Sequence, residues 1–329
     1  MNEQQQPQQK NNSGCLIWII LAVLFYIFVL APSKSSSSPK VTPTPAPTPT
    51  PRPTIALPTP SPTPRLYNGW ELFSERGSAN DLDGTTVVLS IFVSDEGNSW
   101  TWDVNNGRDN ILAYDSLKSL GIACNWISKE AKRYGANAVF YYDWSVYNDL
   151  FYEVQLEGYV SSQYAAGVYS TVAGWIHRSI DSADLLRRYG ADNIVYLLFI
   201  NQPTDSMAVS DSFNQSNGKQ LFAYEFCRLY IYNAGNEISP AGIAHEMLHC
   251  FGAKDLYYAN YGITQEYVDY LERLGTNDIM RITWELNTGR HLYDSISNEL
   301  SQIDAYYLGM IDMCSDVLTW GLPKNERQS

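Results

Sequence analysis

The chain has 329 residues, with 35 acidic against 22 basic side chains and a formal charge of −13. This balance argues against nucleic acid and anionic lipid headgroups as charge-driven partners, because phosphates would be repelled. The 24 tyrosines and 9 tryptophans suit a substantial hydrophobic core.

Residues 1–14 are polar and are expected to form a short cytoplasmic tail. Residues 15–31 are an unbroken apolar run that includes Leu16, Ile17, Trp18, Phe25 and Phe28. A helix of about 20 apolar residues spans a bilayer, so this run reads as a membrane segment. Val29-Leu30-Ala31 has the small-residue pattern of a signal cleavage site, but Pro32 follows at once and makes a poor scissile bond. An uncleaved single-pass anchor is therefore favoured. The expected localisation is the cell membrane, with the larger part of the chain outside the cytoplasm, or secretion if the segment is cleaved. Residues 32–65 are rich in Ser, Thr and Pro, starting with Ser35 to Ser38 and continuing in Thr-Pro pairs. Such a segment favours an extended polyproline spacer reaching on the order of 100 Å. Residues 66–329 are then expected to form one domain.

Within that domain, residues 86–93 read as a β-branched strand. Leu117, Leu120, Cys124, Ile127, Ala131 and Tyr134 keep helical spacing up to Gly135. Further strands are expected over 138–144, 151–159, 194–200 and 226–232, and a short helix over 182–189 ended by Gly190. Ser239-Pro240 is a cap followed by a first-turn proline, opening a helix that runs to Gly252. Residues 265–273 read as a solvated helix, and 299–308, followed by Gly309, as a C-terminal one. The four cysteines of the domain, Cys124, Cys227, Cys250 and Cys314, allow two disulfides in any of three pairings, or buried thiols.

Chemistry concentrates in His245-Glu246-Met247-Leu248-His249-Cys250-Phe251-Gly252-Ala253-Lys254-Asp255. Positions four apart share one helix face, so His245 and His249 can present ring nitrogens to one cation. Glu246 is offset around the helix, beside the ion, where it can take a proton from water. Gly252 can adopt the left-handed conformation that ends a helix, bringing Asp255 back to the same ion as a third ligand. Zn2+ is the expected cofactor.

The pattern HExxHxxGxxD resembles the extended zinc motif of the metzincin metallopeptidases, a minority of which use Asp in place of the usual third His. Thr276-Asn277-Asp278-Ile279-Met280 is similar to the family's methionine turn, in which Met280 would be a hydrophobic floor. The tyrosine that some members carry two positions later is Ile282 here. The resemblance implies an α+β fold: a twisted mixed sheet with backing helices above a cleft, the zinc helix at its floor and a smaller helical C-terminal part. It also places residues 227–232 at a sheet edge that pairs with extended substrate. The implied function is a zinc-dependent endopeptidase acting on protein or peptide substrates, with Glu246 as general base. Two alternatives stay open. A peptide-binding domain could keep the fold without catalysis. A deuterolysin-like peptidase could use Asp278 as third ligand, since residues 275–278 begin like that clan's motif. Glu266 and Glu272 are read as part of a solvated helix face, and His177 and His291 as structural or surface residues. Oligomeric state is left open.

Overall fold

The computed structural model describes residues 78–79, 81–97, 101–161, 167–204, 209–216, 221–233 and 236–325. All of them lie in the second of the two units of the chain, Pro58–Ser329. The expected tail, membrane segment and linker lie outside the described residues.

The single-pass membrane localisation is corrected. Among the described residues no helix is long and apolar enough to cross a membrane. Even the 27-residue helix α1 (Gly107–Arg133) carries Asp115, Lys118, Lys129 and Glu130 along its length, charges that hydrocarbon disfavours. The segment on which that localisation rested, residues 15–31, is among those not described.

The seven strands are β1 (Gly84–Asp95), β2 (Ala138–Tyr141), β3 (Phe151–Leu156), β4 (Asn193–Thr204), β5 (Val209–Ser216), β6 (Leu221–Asn233) and β7 (Asn236–Glu237). They form one sheet in the order β2-β1-β4-β6-β5. β2 pairs with the first half of β1 and β3 with the second, so the two share one edge. β1, β2, β3, β4 and β6 run parallel, while β5 pairs antiparallel with β6. Both faces are covered, which is why β1 and β4 read as nearly continuous apolar runs.

Alternation along β1 separates two cores. Val87, Leu89, Ile91 and Val93 face α2 (Val168–Ser179) and α3 (Ser182–Tyr189). Val88 and Phe92 face α1 and α4 (Pro240–Cys250) on the opposite side. Three shorter helices, α5 (Gln265–Leu274), α6 (Gln302–Tyr307) and α7 (Ser315–Trp320), add Val268, Leu271, Ile303 and Val317 to that second core. The result is a mixed α/β architecture, compatible with the expected α+β class.

One expectation about the sheet fails. Residues 227–232 do not form an edge, because β6 lies between β4 and β5. The sequence of β5, Val-Ser-Asp-Ser-Phe-Asn-Gln-Ser, has little apolar character and gives no strand signal. An edge strand needs only backbone pairing on one side.

Candidate metal centre

α4 begins where the sequence indicates. Ser239 Oγ accepts from the Gly242 amide at 3.1 Å, and Pro240 occupies the first turn, where its missing N–H costs nothing. The helix ends at Cys250, with Gly252 at φ 101°. The Ala253 amide donates back to the Leu248 carbonyl at 3.1 Å, so the chain doubles over the helix end. That reversal returns Asp255 to the histidine face.

His245 Nε2 and His249 Nε2 lie 3.2 Å apart, and Asp255 Oδ1 lies 3.3 Å from the first and 3.1 Å from the second. Among the described residues these three form the group of His, Cys, Asp and Glu side chains able to hold a metal ion. The other ring nitrogens are committed. His245 Nδ1 donates to the Ile279 carbonyl at 2.9 Å and His249 Nδ1 to the Ala253 carbonyl at 2.8 Å. A carbonyl can only accept, so each Nδ1 carries a hydrogen, and a ring in its neutral form turns an Nε2 lone pair inward. Two inward lone pairs and a carboxylate oxygen at this separation form a group that could hold a metal ion.

The surrounding carboxylates favour positive charge at this group. Burial by itself would depress the His249 imidazolium, but the hydrogen bond to Asp255 and the charges of Glu246 and Asp255 outweigh it and raise its pKa to about 9. Burial works against ionised Asp255 too. Hydrogen bonds and charge from His245 and His249 prevail there and hold it well below the usual carboxylate range. Glu246 is 6 % exposed and its Oε1 is 4.0 Å from His245 Nε2, beside the ligand group and outside it.

Below the site, residues 278–281 form a turn closed by a side chain: the Met280 amide donates to Asp278 Oδ1 at 2.7 Å. The turn reaches the site through the Ile279 carbonyl. It is also tied to the segment after α4, since the Leu256 amide donates to the Met280 carbonyl at 2.9 Å. The Met280 side chain is fully buried in the same core as Met247 and Leu248 of α4. Ile282 is buried and supplies no phenol.

Asp278 has a different partner from the histidines. Its buried carboxyl meets Asp304 of α6, whose Oδ2 accepts from the Ser301 amide at 3.1 Å and Ser301 Oγ at 3.0 Å. Asp304 is fully buried and its Oδ1 has no donor unless one of the two carboxyls holds a proton. Burial first, then the charge and hydrogen bond of Asp278, push the Asp304 carboxyl well above its ordinary range. A carboxyl raised on folding contributes stability in full below its unfolded pKa, and that contribution is lost as pH rises through the folded value. Across that window the unfolding free energy should fall by up to about 1.4 kcal/mol per pH unit. Asp304→Asn should flatten the slope in urea titrations run at a series of pH values; an unaltered slope would contradict the shared proton.

Sequence reasoning overlooked Tyr257 and Tyr258, although they stand two and three residues after Asp255. The Tyr257 ring is 6.2 Å from that of His245, within reach of the charge of Asp255. Burial, then the charge of Asp255, raises its pKa and keeps it a donor. Expectation had fixed on position 282 because the resemblance placed the tyrosine after the methionine. The usable signal was a phenol two residues past the third ligand, on the same returning segment.

The remaining candidates separate cleanly. Glu266 and Glu272 are exposed on α5, as expected. His177 Nδ1 contacts the Tyr224 hydroxyl at 3.0 Å, and His291 Nδ1 lies 3.1 Å from the Thr283 carbonyl and 3.4 Å from Ser239 Oγ. The four cysteines of the domain are buried and unlinked in the structure. No protein-family model matches this sequence, and no curated protein matches it.

Proposed function

We propose that this chain is a zinc-dependent endopeptidase resembling the metzincins. His245, His249 and Asp255 act as ligands, Glu246 as general base, and protein or peptide as substrate. The observation that carries the reading is the convergence of two Nε2 atoms and Asp255 Oδ1 within 4.8 Å of one another, with both Nδ1 atoms tied to carbonyls. Two imidazoles and a carboxylate fit zinc, which in hydrolytic sites takes three protein ligands and keeps a fourth position open. A bound zinc ion would supply a Lewis acid that acidifies water and polarises a carbonyl.

The chain's own residues do the rest. Glu246, held out of bulk solvent beside the ligand group, accepts a proton from the attacking water and returns it to the departing amine. The Ile279 and Ala253 carbonyls fix the imidazole orientation and raise ligand basicity. The turn at residues 278–281 serves as the methionine turn, with Met280 filling the core beneath. Pairing with extended substrate falls to β5, the strand at that end of the sheet, which packs beside α4.

Tyr257 stands beside His245 and Asp255 and supports the ligand group from outside. Tyr257→Phe should lower kcat/KM about 10- to 100-fold with zinc still bound, the range for losing a group that supports a ligand. Activity equal to wild type would remove Tyr257 from the site. The reading as a whole is tested by elemental analysis of the purified chain, which should contain one equivalent of zinc.

A further inference from the structure

We propose that Cys227 and Cys250 are a disulfide-forming pair that cross-links the sheet to the helix carrying His245 and His249. Cys227 lies on β6 and Cys250 is the last residue of α4. Their Sγ atoms are 3.3 Å apart, and both side chains are buried. Cys227 Sγ also donates to the Glu246 carbonyl at 3.2 Å, one helical turn before Cys250. The strand residue therefore faces the side of α4 on which Cys250 lies. A disulfide has an S–S distance of about 2.0 Å, so the two sulfurs are little more than about 1 Å from bonding distance. Cys124 and Cys314 are buried as well, but no such sulfur contact joins either to another cysteine among the described residues.

The co-reactant is a small-molecule disulfide of the glutathione type. One cysteine attacks it, forming a mixed disulfide and releasing one external thiol; the other cysteine then attacks the mixed disulfide and releases the second. Two protein S–H bonds and one external S–S bond give one protein S–S bond and two external S–H bonds. Because both sulfurs are sealed in the folded core, the exchange belongs to the folding chain. The closed loop spans 23 sequence positions, a length at which a cross-link lowers the unfolding constant by on the order of a hundredfold. It would pin the end of α4, from which the segment to Asp255 departs, without help from a metal ion. The inference rests on the sulfur geometry and stands whether or not the site holds zinc.

The test is to refold the full chain in a buffer of oxidised and reduced glutathione and block remaining thiols with a first alkylating label. The protein is then denatured and reduced, and newly exposed thiols take a second label. Peptide mapping should place the second label on Cys227 and Cys250 and the first on Cys124 and Cys314. A linked peptide containing Cys227 and Cys250 should appear in the unreduced digest. Reductant should lower the thermal midpoint of the wild type and leave that of the Cys227→Ala, Cys250→Ala double variant unchanged. If the double variant does not fold, the wild-type labelling pattern alone decides. First label on Cys227 and Cys250 in folded protein, or linkage of either to another cysteine, would overturn the proposal.

Discussion

Glu246→Gln should lower kcat by about 10²- to 10⁴-fold while zinc content and the unfolding midpoint stay at wild-type levels. Gln preserves the size and most of the packing of the buried side chain, so the change isolates proton acceptance. The carboxylate lies beside His245 Nε2, at 4.0 Å, and is not part of the His245, His249 and Asp255 group. Metal should therefore be retained. A peptide-binding domain has no use for a proton acceptor at this position, and Gln would then leave affinity for peptide untouched and no hydrolysis to lose. Steady-state kinetics on a peptide substrate, paired with elemental analysis of the same sample, gives both quantities. Wild-type turnover in the variant would end the assignment of Glu246 as base.

The second large effect separates Asp255 from Asp278. Asp255→Ala removes the oxygen 3.3 Å and 3.1 Å from the two histidine nitrogens, and should weaken zinc by more than about 100-fold, beyond the range for a supporting partner. Asp255→His should recover metal, because imidazole is a good zinc ligand. Asp278→Ala should keep the metal. It would strip the Met280 amide of its acceptor and Asp304 of its partner, at a stability cost of about 1–3 kcal/mol. Zinc titrations and urea unfolding on the three variants distinguish these outcomes. Zinc lost from Asp278→Ala and kept in Asp255→Ala would transfer the third ligand to Asp278 and support the deuterolysin-like alternative.

The parts of the fold that were legible are those where burial leaves a mark on residue type. β1 and β4 are covered on both faces, and their apolar runs predicted strands within a few residues of the observed bounds. α3 matched its predicted span because Asp181 caps it and Gly190 ends it in the left-handed conformation. α4 was equally readable from Ser239, Pro240 and Gly252. What stayed hidden was held by context. β5 is polar and owes its strand conformation to pairing with β6, and nothing in its sequence corrected the edge that the resemblance assigned to residues 227–232. α2, which covers the face opposite α1 and α4, received no prediction. The C-terminal helix was predicted three residues too early because its start is set by the Ser301 and Asp304 capping box, a signal the reading passed over.

The site divides in the same way. HExxHxxGxxD placed His245, His249 and Asp255 together because helix periodicity and one glycine turn are local geometry. The carbonyls of Ile279 and Ala253 that orient the rings are backbone groups with no side-chain signature. The pairing of Asp278 with Asp304 joins residues far apart in sequence, so spacing alone left Asp278 as a rival ligand.

The central claim is metal-dependent peptide hydrolysis at this site. Its most direct measurement is the rate of casein or peptide-library cleavage as the purified chain is stripped of metal by a chelator and then titrated with zinc. Cleavage should disappear on stripping and return to its full rate as one equivalent of zinc binds. Cleavage that survives removal of the metal, or one equivalent of bound zinc with no cleavage at all, would contradict it.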